Sequence, residues 1–198
     1  MTSPRRSTQA IALCLVFTAF FTWLDLWTKD WAVDHLPCDP TTIENCRTIP
    51  GKHPSRSGGL VLVDGYLDLA YAENPGAAFG MLNDAPAWLR GTLFTGAAAI
   101  AVFVLGYMFV TANGGILFAW SVPLVVSGAL GNLVDRFRLG YVVDFIRFHL
   151  HDGWEWPTFN IADCTIFVGV VLWFFDGFRK AEQSAPADGS SAAENQVG

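Results

Sequence analysis

Charged residues are scarce in this sequence. Only 15% of the 198 residues are Asp, Glu, Lys or Arg, whereas 52% are hydrophobic. Because soluble domains carry about 25% charged residues, this composition argues against a water-soluble fold for most of the chain. The formal net charge of −6 also lacks the basic excess that nucleic-acid binding requires. We therefore expect no nucleic-acid partner.

Cysteine is scarce as well. Four cysteines are too few for a disulfide scaffold at this length. Cys14 and Cys164 lie in apolar runs, where cysteine packs as a small hydrophobic residue. Cys38 and Cys46 flank a polar loop, and this pattern fits a disulfide and two free thiols equally well. The histidines form no His-x-x-x-His zinc motif, so we expect neither a metal nor another cofactor.

Long apolar runs, by contrast, are abundant. A helix that crosses ~30 Å of hydrocarbon needs about 20 residues, and four runs are near that length. The first run follows Arg5 and Arg6 as a signal peptide would, but it is long and no small-x-small cleavage site follows it, so we expect it to be retained. The sequence predicts a membrane all-α bundle of four transmembrane helices, at about residues 10–31, 91–112, 115–136 and 159–177.

The segments between the spans contain short β patterns. Leu60–Val63, the turn Asp64-Gly65 and residues 66–71 predict a hairpin, and residues 141–146 predict a further strand. We expect a small β-layer (cradle) and a loop on the membrane surface, formed by residues 34–87 and 137–157. Residues 1–180 would be one membrane-embedded domain. Residues 181–198 contain few large apolar side chains, so a disordered tail is expected.

Basic residues flank the outer ends of the first and last predicted spans. Arg5, Arg6, Arg179 and Lys180 place both termini in the cytoplasm by the positive-inside rule. The loops assigned to the opposite side also contain several arginines and a lysine, so the charge difference between the two sides is small.

Six ionisable residues lie at or near membrane depth, where charge is costly and marks function or an internal partner. Asp25 and Lys29 are one helical turn apart, which favours a structural ion pair. Arg136 fits two roles, holding a carboxylate bidentately or extending toward the lipid headgroups. The six residues are Asp25, Lys29, Asp135, Arg136, Asp144 and Asp163.

Asp144 and Asp163 (the aspartate pair) can meet at the interface, because the chain leaves the third span and returns into the fourth. Asn160 lies on the same helix face as Asp163. Two carboxylates in one site share a proton. The ionised one can then act as general base on a water, while the protonated one polarises a scissile carbonyl. A proton relay or a structural hydrogen-bonded pair fits the same residues.

Five sequence blocks, in this order along the chain, resemble bacterial lipoprotein signal peptidase (signal peptidase II), a family of aspartyl peptidases. Each block alone is a weak pattern, but all five lie where the predicted topology needs them. They are Asp25-x-x-Thr28-Lys29, Asn74–Gly80, Gly131–Arg136, Gly140–Phe145 and Phe159–Asp163.

The resemblance implies a multi-pass endopeptidase of the bacterial inner membrane, with its active site toward the periplasm. Such enzymes remove the signal peptide from diacylglyceryl-modified prolipoproteins, cutting just before the lipidated cysteine. The expected partners are the lipid-modified prolipoprotein and membrane lipids, and the enzyme is expected to be monomeric. Asp144 and Asp163 would be catalytic, and the supporting residues would be Asn74, Gly76, Asn132, Arg136, Asn160, Asp25 and Lys29.

This sequence departs from the family pattern in places. Residues 34–65 form a longer loop, Cys164 replaces a small hydroxyl residue, and the polar tail is an extension. These differences bear on substrate preference rather than on the chemistry.

Three other functions compete with this hypothesis. A proton-coupled transporter would need polar residues in the middle of several spans, whereas the second span has none that ionise. An intramembrane protease that cuts ordinary helices would hold both aspartates inside spans, whereas Asp144 precedes one. A lipoprotein-binding chaperone would require neither Asp144 nor Asp163.

Overall fold

The computed structural model describes residues 6–36, 59–75, 86–111, 114–151 and 153–184. In these ranges it contains four long helices and a small antiparallel sheet, as the sequence predicts. In chain order the elements are α1 Thr8–His35, β1 Leu60–Val63, β2 Leu67–Asn74, α2 Ala87–Thr111, α3 Ile116–Leu139, β3 Val142–Phe148 and α4 Ile161–Ser184.

Each helix contains a segment that is long and apolar enough to cross a membrane. Large apolar side chains cover the outside of the bundle: Phe103 exposes 75% of its surface and Phe167 exposes 70%. A helix satisfies its own backbone hydrogen bonds, so it can present such a surface to lipid. The chain is therefore a multi-pass membrane protein.

Helix α3 contacts each of the other three helices, and its contact with α4 depends on small residues. A Cβ atom at Gly128 would overlap the carbonyl oxygen of Ala162. A Cβ atom at Gly169 would lie 2.9 Å from the carbonyl oxygen of Ser121. Small residues let membrane helices approach closely, so the polar end of α3 comes against the start of α4.

The three strands form one antiparallel sheet in the order β1-β2-β3. The predicted hairpin is present, and Tyr66 N donates to Val63 O across its turn at 3.0 Å. In the β2–β3 register, Ala72 lies opposite Asp144. The sheet packs on the end of α1 through a cluster formed by Ala32, Leu36, Tyr71, Val143 and Phe145. This packing fixes β3 beside the ends of the helices.

Several predictions fall partly or wholly outside the described residues. Cys38, Cys46 and Gly76 lie outside the described residues, so the disulfide and the role of Gly76 stay predictions. Helix α4 continues to Ser184, into the segment expected to be a disordered tail, and residues 185–198 are not described. Cys14 and Cys164 are free, half-buried thiols.

Candidate active site

Asp163 lies in the first turn of α4, inside a reciprocal hydrogen-bonded cap. Asn160 precedes the helix, and its Oδ1 accepts from Asp163 N at 3.0 Å. In return, Asp163 Oδ2 accepts from Asn160 N at 3.2 Å. This is the capping-box arrangement, and it places the Asp163 carboxylate at the positive end of the helix dipole.

Asp144 lies in β3 with only 2% of its surface exposed. Its Oδ1 accepts from Asn160 Nδ2 at 2.6 Å, and its Oδ2 accepts from Asn74 Nδ2 at 3.0 Å. Burial, together with the negative charge of Asp163, raises the pKa of Asp144 to about 7. Asn160 therefore contacts both members of the aspartate pair.

Asn132 on α3 completes the polar contacts of the pair. Its Nδ2 donates to Asp163 Oδ1 at 3.0 Å. Its Oδ1 accepts from Lys29 Nζ at 2.8 Å and from Asn160 Nδ2 at 3.2 Å. Each of the four carboxylate oxygens of the pair thus accepts a hydrogen bond from an asparagine. Three donors are side-chain amides, of Asn74 on β2, Asn132 on α3 and Asn160 before α4. The fourth donor is the backbone N–H of Asn160.

A buried ion cluster lies behind these asparagines. Lys29 Nζ is 2.8 Å from Asp25 Oδ2 and 3.2 Å from Asp135 Oδ2. Asp25 Oδ1 also accepts from Ala162 N at 2.8 Å, and Asp135 Oδ2 accepts from Val143 N at 3.1 Å. Asp25 therefore holds the start of α4, and Asp135 holds the strand beside Asp144.

Gly131 is required by the same cluster. A Cβ atom there would overlap Asp25 Oδ2, so a larger residue would displace the carboxylate that Lys29 and α4 share. Gly131 belongs to one of the sequence blocks, and the structure gives a steric reason for its presence.

Arg136 is half-buried at the end of α3. It donates through Nη1 to the carbonyl oxygen of Asn132 at 3.1 Å, and its guanidinium carbon lies 5.9 Å from the centre of the Phe94 ring. Within the described residues, its hydrogen bond is to this backbone oxygen rather than to a carboxylate. Its positive charge still acts on both Asp144 and Asp163.

The sequence patterns missed a second hydrogen-bonded group beside the site. Tyr71 is buried on β2, and its hydroxyl donates to Glu73 Oε1 at 3.0 Å. The same hydroxyl is 3.1 Å from the hydroxyl of Tyr141. Burial raises the pKa of Tyr71, so the phenol stays neutral and ties the start of β3 to β2. Among the described residues, no group of three His, Cys, Asp or Glu side chains could hold a metal ion.

Comparison of the chain with known protein families identifies its family. The profile of signal peptidase (SPase) II matches residues 17–179, a range that contains the whole site. The chain belongs to the signal peptidase II family. This is a family of peptidases, and every site residue named above lies within the matched range.

Curated relatives support the assignment to the signal peptidase II family. The lipoprotein signal peptidase of Syntrophus aciditrophicus is 39% identical over 127 residues, which cover 64% of this chain and 78% of the relative. The lipoprotein signal peptidase of Psychromonas ingrahamii is 44% identical over 125 residues, covering 61% of this chain and 69% of the relative.

Two solved structures have the same fold. Both are bacterial membrane enzymes. One, at 2.3 Å resolution, has a TM-score of 0.67 and 23% identity, and the match covers 95% of this chain and 99% of that one. The other, at 1.9 Å, has a TM-score of 0.62 and 26% identity, covering 88% and 96%.

Proposed function

We propose that this protein is a membrane aspartyl endopeptidase that removes the signal peptide from diacylglyceryl-modified prolipoproteins, cutting just before the lipidated cysteine. The observation that carries the proposal is the bridge formed by Asn160, which donates to Asp144 at 2.6 Å while it caps the helix that begins beside Asp163. The names of the curated relatives support this substrate class.

The aspartate pair suits water-mediated peptide hydrolysis. Two neighbouring carboxylates in one site hold one proton between them at neutral pH. The ionised carboxylate takes a proton from water, whose oxygen then attacks the scissile carbonyl carbon. The protonated carboxyl polarises the carbonyl oxygen, and the leaving amine is finally protonated by the pair. No cofactor is needed for these steps.

The position of the pair suits a substrate that arrives within the bilayer. Asp163 lies in the first turn of α4, and Asp144 lies in the sheet just beyond the helix ends. A lipidated cysteine and an apolar signal helix can reach this level by lateral diffusion along the lipid-facing helices. Trp154 and Trp156 are 47% and 44% exposed, and tryptophan favours the membrane interface. Membrane lipids would therefore surround both enzyme and substrate.

We also propose an orientation for the protein in the bacterial inner membrane. The aspartate pair would face the periplasm, and both termini would lie in the cytoplasm. Arg6 and Lys180, at the opposite ends of α1 and α4 from the pair, agree with cytoplasmic termini by the positive-inside rule. The enzyme is also proposed to act as a monomer.

The test compares cleavage of a diacylglyceryl-modified prolipoprotein with cleavage of its unmodified form. Wild type should cut only the lipidated substrate, and Asp144→Asn and Asp163→Asn should lose that activity. Asp30→Asn is a matched control, since this α1 carboxylate is 63% exposed and pairs only with Arg138 at 3.6 Å among the described residues. Near-full activity in either pair variant, or no cleavage by folded wild type, would contradict the proposal.

A further inference from the structure

The orientation of the Asn160 amide is fixed by its partners. Its Oδ1 faces the backbone N–H of Asp163, which can only donate. Its Nδ2 faces the carbonyl oxygen of Val143 at 3.2 Å, which can only accept. Asn160 therefore presents an N–H, never a carbonyl oxygen, to Asp144.

The orientation of the Asn132 amide is fixed in the same way. The ammonium group of Lys29 has donors and no acceptor, so the atom of Asn132 that lies 2.8 Å from it must be Oδ1. The Nδ2 group then points to Asp163 Oδ1 at 3.0 Å. Lys29 is itself held by Asp25 and Asp135, so this orientation is built into the buried ion cluster.

The two aspartates consequently have different surroundings. Both oxygens of Asp163 accept from donors whose direction is fixed, Asn132 Nδ2 and Asn160 N, and the carboxylate lies at a helix N-terminus. Asp144 also accepts from two donors, Asn160 Nδ2 and Asn74 Nδ2, but it lies in a strand without a helix dipole and only 2% of its surface is exposed, whereas Asp163 is only half-buried. Burial disfavours the charged form of a carboxyl. Donors to a carboxylate favour its ionised form.

We propose that Asn132 and Lys29 are positioning residues that make Asp163 the ionised base of the pair and leave the shared proton on Asp144. This inference rests on the proposed function and assigns a distinct role to each aspartate. The raised pKa of Asp144, about 7, agrees with a carboxyl that holds its proton near neutral pH.

The assignment gives a balanced reaction. Asp163 takes a proton from water as the water oxygen bonds to the carbonyl carbon, and Asp144 gives its proton to the carbonyl oxygen. When the C–N bond breaks, a hydroxyl of the tetrahedral intermediate returns a proton to Asp144. Asp163 then protonates the leaving nitrogen, so both aspartates end in their starting states.

The test is the pH dependence of kcat/KM for Asn132→Leu and Asn132→Asp. Leucine has a similar volume but no donor, and Lys29 keeps its ion pairs with Asp25 and Asp135. We expect the acidic limb of the pH profile to move to higher pH in Asn132→Leu, because a donor to an ionised carboxylate is lost. The shift should be larger in Asn132→Asp, which adds a carboxylate beside Asp163.

Other changes in kinetics distinguish positioning from a purely structural role. Because Asn132 acts through Asp163, kcat should fall while KM stays nearly unchanged. The alkaline limb, assigned to Asp144, should move less than the acidic limb. Other charged groups also face the pair, and all of them are the same in wild type and in both Asn132 variants. They are Asp25, Lys29, Asp135 and Arg136.

An infrared measurement of the protonated carboxyl tests the same assignment without the Asn132 variants, which could fail to fold. Below pH 7, wild type should show a protonated-carboxyl band that disappears in Asp144→Asn and persists in Asp163→Asn. The opposite pattern, or an unmoved acidic limb in both folded Asn132 variants, would overturn the assignment. Full activity of Asp144→Asn or Asp163→Asn would instead refute the proposed function itself.

Discussion

Replacing Lys29 by methionine should strongly destabilise the site. Lys29 Nζ lies 2.8 Å from Asp25, 3.2 Å from Asp135 and 2.8 Å from Asn132, and the side chains of the three ionised residues are no more than 3% exposed. Removing one partner of a buried ion pair costs about 3–5 kcal/mol, because the remaining charge stays buried without compensation. Methionine fills much of the space, so the loss should come from charge and not from a cavity.

The loss should also be local, since the uncompensated carboxylates hold Ala162 N at the start of α4 and Val143 N in β3. Unfolding by a denaturing detergent in mixed micelles, compared with wild type, measures the free-energy difference. Adding Asp25→Asn and Asp135→Asn to Lys29→Met removes the two unpaired charges and should restore much of the stability. A loss below about 1 kcal/mol for Lys29→Met, as for an exposed ion pair, would refute this reasoning.

Three further changes have expected outcomes. The folded-state pKa of Asp144 is raised to about 7, so its contribution to stability is present at low pH and is lost as pH rises toward 7. Thermal unfolding should therefore show that Asp144→Asn stabilises the protein more at pH above 7 than under acidic conditions. Gly128→Ala should cost about 1–3 kcal/mol, because its Cβ meets the backbone of Ala162, while Gly106→Ala, with nothing within 4 Å, should not destabilise; equal effects would contradict the account. Tyr71→Phe should cost about 1 kcal/mol through its lost hydrogen bonds, and an unchanged unfolding curve would contradict that.

Much of the fold could be predicted from the sequence because its causes are local. The span α2 contains no charged residue between Gly91 and Thr111, and an apolar run of this length predicts a transmembrane helix. The hairpin is predicted by short apolar strands around Asp64-Gly65, and the backbone hydrogen bond from Tyr66 N to Val63 O across the turn agrees with it.

The contacts that hold the aspartate pair could be predicted only in part. The spacing of Asp25 and Lys29 predicts their ion pair, and the structure contains it. No local pattern indicates that Asp25 also binds Ala162 N, since this bond joins residues 137 positions apart. The contact between Asp135 and Val143 N depends in the same way on how β3 packs against α3.

The Asn160 cap has a recognisable sequence pattern. The pattern Asn160-x-x-Asp163 before an apolar run has the spacing of a capping box. This pattern predicts that α4 begins between these residues and that the Asp163 carboxylate accepts from the backbone N–H of Asn160, as it does. The bridge from Asn160 to Asp144 could not follow from that pattern, because it requires the sheet to be in place.

The most direct test of the account is mass spectrometry of the products from a diacylglyceryl-modified prolipoprotein, treated with wild type, Asp144→Asn and Asp163→Asn. The account predicts that wild type releases a product whose first residue is the lipidated cysteine, and that neither variant releases it. A cut at another bond, or the same product from either variant, would contradict the account.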